Sequence, residues 1–413
     1  MFASYVRLLR HPNLPRILCA LLLTRLATPI LAIALLMATV DKYGSYATGG
    51  MVVAVHGVTQ ALCSAVAGRL ADRRNPGRVL AGFLAAHACT YVALLTLLAA
   101  PVGPPAVLAA ASALGLTTPP VSAVLRSAWP RLVDPEVLHT AYAADNMTNE
   151  LMYVVGPLLV TLSLDVSSAA FAIAVAGISL LTGGTLLLLT PRATRQSIFR
   201  RPEQRRVRVG GWATVAGPLT HRPTLAVLAA TALTSAGFGS LRLAVVAACA
   251  SFGAPDAAGL LLGLLAVGAL VGAFTYGLRF WAFSDRRMLI LLCLVGSALY
   301  LVSGHAAGTI VLAALIGLAG FLDGFRTGLE QVMIADRAPD QWRTETFSWL
   351  NSFMWTGYAL GSAAAGQFAG PSGATGAFMA ASVGMAIATV VALAARPART
   401  TATSVPDPGK VPT

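Results

Sequence analysis

Charge is what this sequence has least of. Asp, Glu, Lys and Arg together make 11% of its 413 residues, against about a quarter in a soluble domain. Acids are the scarcer sign, 16 against 29 basic residues, and Lys42 and Lys410 are the only lysines. With so few lysines there is no Gly-Lys-Ser/Thr phosphate loop, which excludes a nucleotide-driven pump. His-Glu-x-x-His, Gly-x-Ser-x-Gly and paired Cys/His ligand spacings are also missing, so neither a membrane enzyme nor a metal or other cofactor is expected. Five cysteines, Cys19, Cys63, Cys89, Cys249 and Cys293, stand singly in apolar stretches and read as small core residues, not disulfides.

What the sequence does have is apolar runs: 56% of it is hydrophobic. Runs of about twenty residues cross a bilayer as helices, which satisfy their own backbone groups where no water can. Twelve are predicted, at about 15–40, 47–70, 79–100, 105–128, 140–163, 168–189, 224–250, 256–281, 288–304, 308–334, 344–369 and 374–395. The long polar interruption, residues 192–223, holds Arg192, Arg195, Arg200, Arg201, Arg205, Arg206, Arg208 and Arg222 against one acid, Glu203. The expected organisation is an N-terminal six-helix half (1–190), a basic linker (191–223), a C-terminal six-helix half (224–396) and a disordered tail (397–413). Part of the linker, 196–209, has the option of a helix lying on anionic lipid. Odd-numbered connectors carry one cation, Lys42, whereas even-numbered ones carry Arg73, Arg74, Arg131, Arg286, Arg287, Arg337, Arg343 and the linker cluster. Basic loops stay inside during insertion, which predicts cytoplasmic termini in the cell membrane. The net charge of +13 therefore reads as topology and lipid contact, not nucleic-acid binding.

The halves look related. A shift of 205 lays Tyr142, Asn146, Tyr153 and Gly156 on Phe347, Asn351, Tyr358 and Gly361, and Pro135 and Pro339 open the preceding loops. Two six-helix repeats of the same orientation are one transporter architecture. After the second span comes Gly68-Arg69-Leu70-Ala71-Asp72-Arg73-Arg74-Asn75-Pro76-Gly77-Arg78. This resembles the major facilitator signature Gly-x-Leu-Ala-Asp-Arg-x-Gly-Arg with two residues inserted. Gly68 permits close helix approach, Asp72 suits a helix N-terminus, and Asn75-Pro76-Gly77 makes a tight turn. The resemblance implies an all-α membrane protein of two six-helix bundles, in which Gly68, Asp72, Arg73 and Arg78 form a cytoplasmic gate against the start of span eleven. Val155-Gly156-Pro157 is similar to the Gly-Pro element of drug/proton antiporters, though its flanking glycines are absent. Arg126-Ser127-Ala128-Trp129-Pro130 and Thr344-Glu345-Thr346-Phe347-Ser348-Trp349 look like actinobacterial-type members.

Charges far inside a span cost about 2.5–3.5 kcal/mol each unless partnered. Arg25, Glu150, Arg242, Asp323 and Arg326 are so placed. Asp323, Arg326 and Glu330 share one helical stripe, while Gly320, Gly324 and Gly328 form a packing row on another face. Asp323 and Arg326 either neutralise each other structurally or belong, with Glu150 and Arg25, to a substrate or proton site. Desolvation favours the protonated form of a carboxyl, as a proton carrier requires; Glu150, with no opposite charge nearby on its helix, is the first candidate and Asp323 the second. Arg25 could hold an anionic substrate group or pair with Glu150. Arg242 lies toward the outer half and suits packing or an outer gate. Tyr153 and Trp355 are candidates for an aromatic cavity wall, although aromatics at such spacing more often pack. His56 and His87 read as neutral, hydrogen-bonded core residues.

These readings predict a secondary transporter working by alternating access, exporting amphiphilic small molecules in exchange for protons. A proton-coupled importer of a polar or acidic metabolite is the alternative, and a non-transporting membrane protein on the same fold is a further one. The expected partners are a small-molecule substrate, protons and the bilayer. A monomer is the expectation, although glycine rows serve packing within a chain as readily as between chains.

Overall fold

The computed structural model describes residues 3–10, 13–200, 217–278, 281, 283–369 and 373–394. A short helix α1 (Ala3–Leu9) leads into α2 (Leu14–Tyr43), α3 (Tyr46–Arg73), α4 (Pro76–Ala99), α5 (Pro104–Leu116), α6 (Val121–Leu132), α7 (Leu138–Val166) and α8 (Ala169–Leu188). After a short α9 (Arg192–Ile198) come α10 (Arg222–Ser251), α11 (Ala257–Tyr276), α12 (Asp285–Ser303), α13 (Thr309–Arg337), α14 (Arg343–Ala369) and α15 (Gly373–Ala394). Among the described residues there is no strand. The proposed surface helix at 196–209 lies mostly outside the described residues, as does the tail; α9 accounts only for its first turn.

Among the described residues, eleven segments are long and apolar enough to cross a membrane. The twelfth, α14, has a polar first half and packs on α10 and α3, while Leu360 and Phe368 of its second half are exposed. The predicted fourth span is two helices, because Pro119-Pro120 interrupts the ladder between α5 and α6. Local chemistry fixes several other ends. Ser45, Asn75 and Ser168 cap α3, α4 and α8 by accepting from the backbone N–H of Thr48, Arg78 and Phe171 at 3.1–3.2 Å. Gly44, at φ +66°, closes α2 by donating to the Val40 carbonyl at 2.7 Å.

Helices within a half pack through glycine, since lipid offers no hydrophobic drive and close backbone contact must supply the energy. A Cβ on Gly320 or Gly324 of α13 would collide with the Leu265 and Ala269 carbonyls of α11, and one on Gly268 or Gly272 with the Gly317 and Phe321 carbonyls. Gly357 and Gly361 of α14 meet the Ala232 and Ala236 carbonyls of α10 in the same way. Gly324→Val should therefore cost at least about 1–3 kcal/mol, because backbone cannot yield as a side chain does. Gly263→Val, with open space around it, should leave the melting temperature of the purified protein unchanged; equal melting of the two variants would contradict this packing.

Two cysteines depart from the core reading. Cys249 and Cys293 are buried, but Cys19 and Cys89 face outward and Cys63 is half-buried, its thiol on the Leu116 carbonyl at 2.7 Å. All five are free. In an apolar solvent an outward cysteine carries no penalty, so composition cannot sort the lipid face from the core.

Candidate functional site

Between the halves lies a cavity of about 130 Å³. Its wall takes Thr24, Arg25 and Thr28 from α2, Gln60 and Ser64 from α3, Asn149 and Tyr153 from α7, and Phe347, Asn351, Met354 and Trp355 from α14. The α5–α6 break supplies Thr118 to Ala123, and one turn further on α6 supplies Arg126. Tyr153 and Trp355, whose ring centroids are 6.2 Å apart, form an aromatic side, extended by Tyr358 at 5.7 Å from Trp355.

Arg25 and Arg126 converge on one carboxylate, Asp145 of α7. Arg25 Nη2 and Arg126 Nε each donate to Asp145 Oδ2 at 2.8 Å, and Arg25 Nη1 also reaches the Asp145 carbonyl and the Thr148 hydroxyl. Asp145 is fully buried, while the Arg25 and Arg126 side chains keep 5% and 11% of their surface. Asp145 is not among the expected intramembrane charges because it falls near the predicted start of its span, and Arg126 lies near the predicted end of its own. The connector between α6 and α7 is in fact only five residues, 133–137, which draws both charges into the bundle. Arg25 thus pairs with Asp145 rather than Glu150.

A second buried cluster lies in the other half. Arg326 bonds Asp323 and Glu330 on its own helix. Thr231 and Thr234 of α10 donate to Glu330 at 3.0 and 3.2 Å, and Arg326 Nη1 donates to Thr234 at 2.7 Å. Asp323 and Arg326 do not line the cavity. Glu150 does not line it either. It has no ion pair among the described residues and sits within electrostatic reach of Asp323, Arg242 and Arg25. The six candidates therefore divide: Arg25, Tyr153 and Trp355 meet at the cavity, Asp323 and Arg326 form a separate cluster, and Glu150 lies between the two.

The halves join at the end that carries the arginine-rich connectors. Asp72, 3% exposed, accepts from the backbone N–H of Thr344 at 3.1 Å and of Glu345 at 2.8 Å, so a carboxylate of one half caps a helix of the other. Arg69 Nε donates to buried Glu345 at 3.0 Å. Gly68 faces Ser348, where a Cβ would meet the Ser348 side chain. Arg73 and Arg78 are exposed on the rim. Thr344 bonds Ser127 at 3.0 Å, and Ser352 bonds the Ala61 carbonyl at 3.0 Å.

Beside this contact, Thr140 donates to the Gly277 carbonyl at 2.8 Å and Gln331 to Asn146 at 3.3 Å. Tyr5 of α1 stacks on Phe274, ring centroids 4.9 Å apart, and donates to the Phe274 carbonyl at 3.0 Å; burial pushes its hydroxyl up, which keeps it a donor. Among the described residues, hydrogen bonds between the halves fall within about four helical turns of this end. His56 and His87 are satisfied inside the N-terminal half by the Ala111 carbonyl at 3.3 Å and the Thr117 hydroxyl at 3.0 Å.

Comparison with known proteins gives the same architecture. The model of the Major Facilitator Superfamily matches residues 17–246 and 227–412. No curated protein sequence matches this chain. Among solved structures, a bacterial homologue of the iron transporter ferroportin in an outward-facing state is similar at 15% identity and TM-score 0.73, over 92% of this chain and 98% of that one. The human organic anion transporter MFSD10 (TETRAN) is similar at 17% identity and TM-score 0.68 with the same coverage. The E. coli fucose:proton symporter FucP is similar at 13% identity and TM-score 0.71, over 94% of this chain and 100% of that one.

Proposed function

This chain belongs to the Major Facilitator Superfamily, a multi-pass membrane protein with the fold of a secondary transporter, and from that premise we propose that it moves an amphiphilic small molecule by alternating access, coupled to protons. The carrying observation is the distribution of contacts: hydrogen bonds between the halves gather at one end of a central cavity. Rocking the halves about that cavity would open the closed end, which is the motion alternating access requires. The arginine-rich end is the cytoplasmic one on the retention of basic loops, and the arrangement is then the outward-open member of the cycle. Gly68, Asp72, Arg69 and Glu345 form the gate that holds it, with Arg73 and Arg78 on its rim.

Glu150 is the proton carrier in this reading. It sits between two charge clusters and lacks the cation that holds each of the other midplane acids, so its charge is free to follow the conformation. Export fits the Gly156-Pro157 element, which packs directly on Pro29 of α2. Import of an acidic metabolite remains the second reading, favoured by Arg25 in the cavity wall.

Proteoliposomes holding a pH dye test the proposal against a panel of organic cations, anions and neutral compounds. Substrate-triggered proton movement is expected in the wild type and absent in Glu150→Gln. Substrate movement unaccompanied by protons would remove the coupling, and substrate-gated proton flux surviving in Glu150→Gln would remove that residue from it.

A further inference from the structure

Among the described residues the cavity wall contains two cations and no acid: of its lining residues only Arg25 and Arg126 carry charge. Behind them stands a single carboxylate, Asp145, wholly buried and bonded through the same Oδ2 to both. Two guanidiniums therefore share one negative charge. Burying an unmatched cation is expensive in a low-dielectric interior, and a site kept this way is completed by an anion.

The two arginines are not equally engaged. Arg25 uses both terminal nitrogens on Asp145 and Thr148. Arg126 uses only Nε, and among the described residues neither of its Nη atoms has an acceptor. That leaves the two-nitrogen edge of the guanidinium at the cavity, the fork that meets a carboxylate or similar oxyanion with two parallel bonds.

Independent support comes from the break in the fourth span. The first turn of α6 lines the cavity, and among the described residues the backbone N–H groups of Ser122 and Ala123 have no acceptor. Ser122 and Ala123 lie four and three residues before Arg126, so the three residues share one helix face, and all three line the cavity. The positive end of a half-helix and an arginine thus border the same cavity, which Tyr153 and Trp355 also line with an aromatic pair.

We infer that the transported substrate is a compact organic anion, its carboxylate or like oxyanion seated on Arg126 and the first turn of α6, and its apolar or aromatic body against Tyr153 and Trp355. This rests on the carrier reading above and adds the substrate class. Asp145 holds the two guanidiniums apart and oriented, and Gln60, Asn149 and Asn351 supply neutral donors around the headgroup.

The test is calorimetric titration of the purified full-length protein with aryl carboxylates from benzoate to naphthoate, alongside the matched amides and arylmethylammonium ions. The carboxylates alone should bind. Arg126→Gln should weaken them by about 10- to 100-fold, the loss of charged hydrogen bonds. Arg126→Lys, which keeps the charge and spares the fold, should fall between, because an ammonium lacks the fork. Equal binding of amides or ammonium ions, no carboxylate binding in the wild type, or carboxylate affinity unchanged in both Arg126 variants would each overturn the inference. Counterflow in proteoliposomes separates the two readings. Counterflow of a cation or neutral compound only would keep the carrier and sink the anion site, whereas anion binding with no counterflow would keep the site and sink the carrier.

Discussion

Arg326→Gln is expected to destabilise the folded protein by about 3–5 kcal/mol, the cost of removing one partner from a buried ionic group. Arg326 is 3% exposed and stands between Asp323 and Glu330, three residues before it and four after. Its loss would strand two buried carboxylates on one stripe, with only the Thr231 and Thr234 hydroxyls left to Glu330. The informative comparison is the repair. Asp323→Asn with Arg326→Gln removes the pair read from local spacing, yet should recover little, since Glu330 keeps its charge. Adding Glu330→Gln should restore the melting temperature, because the remaining groups bond one another as neutral amides and hydroxyls. Monodispersity after heating, followed by size exclusion, measures this; a double variant as stable as the triple would show that Glu330 is not part of the unit. Flux through the stable triple variant then separates a structural role of the cluster from a transport role.

Asp72→Asn is expected to open the arginine-rich end. The carboxylate supplies a cap to two N–H groups of α14 and a charge at the positive end of its dipole. A cap contributes about 1 kcal/mol and the charge about 0.3–1 kcal/mol more. Because cap and helix belong to different halves, that free energy stabilises only the closed arrangement, and its loss shifts the population by the whole amount. A shift of about 1.4 kcal/mol is tenfold. A cysteine placed at Ser348, 1% exposed behind Gly68, reports it: its alkylation from that end should quicken about tenfold in Asp72→Asn. An unchanged rate in folded protein would remove Asp72 from the gate. Arg69→Gln should act in the same direction but more weakly, since its side chain is 25% exposed and its ion pair is screened.

The Asp323–Arg326–Glu330 stripe and the Gly320, Gly324, Gly328 row were both legible as sequence because they are properties of one helix, set by a period of 3.6 residues. The position of Asp72 was legible through its motif. Its place at the start of span eleven was legible through the same resemblance, but the particular N–H groups it caps, 272 and 273 residues away, were not. The Arg25–Asp145–Arg126 centre escaped for a related reason. Each residue is a single charge on its own helix, and the 120 positions between Arg25 and Asp145 give no periodic signal.

The sequence by itself determined that the chain crosses a membrane many times, because hydropathy acts along the chain and needs no partner. It also determined which end is basic and which face of α13 packs, whereas the break of the fourth span at Pro119-Pro120 came from the structure. Only the tertiary structure decided which carboxylate Arg25 meets, that Arg126 keeps a free edge at the cavity, that Glu150 stands apart from it, and that the halves close at the basic end. Those are matters of pairing, and in a low-dielectric interior the partner of a buried charge is selected by how the helices pack, over distances the linear order does not record.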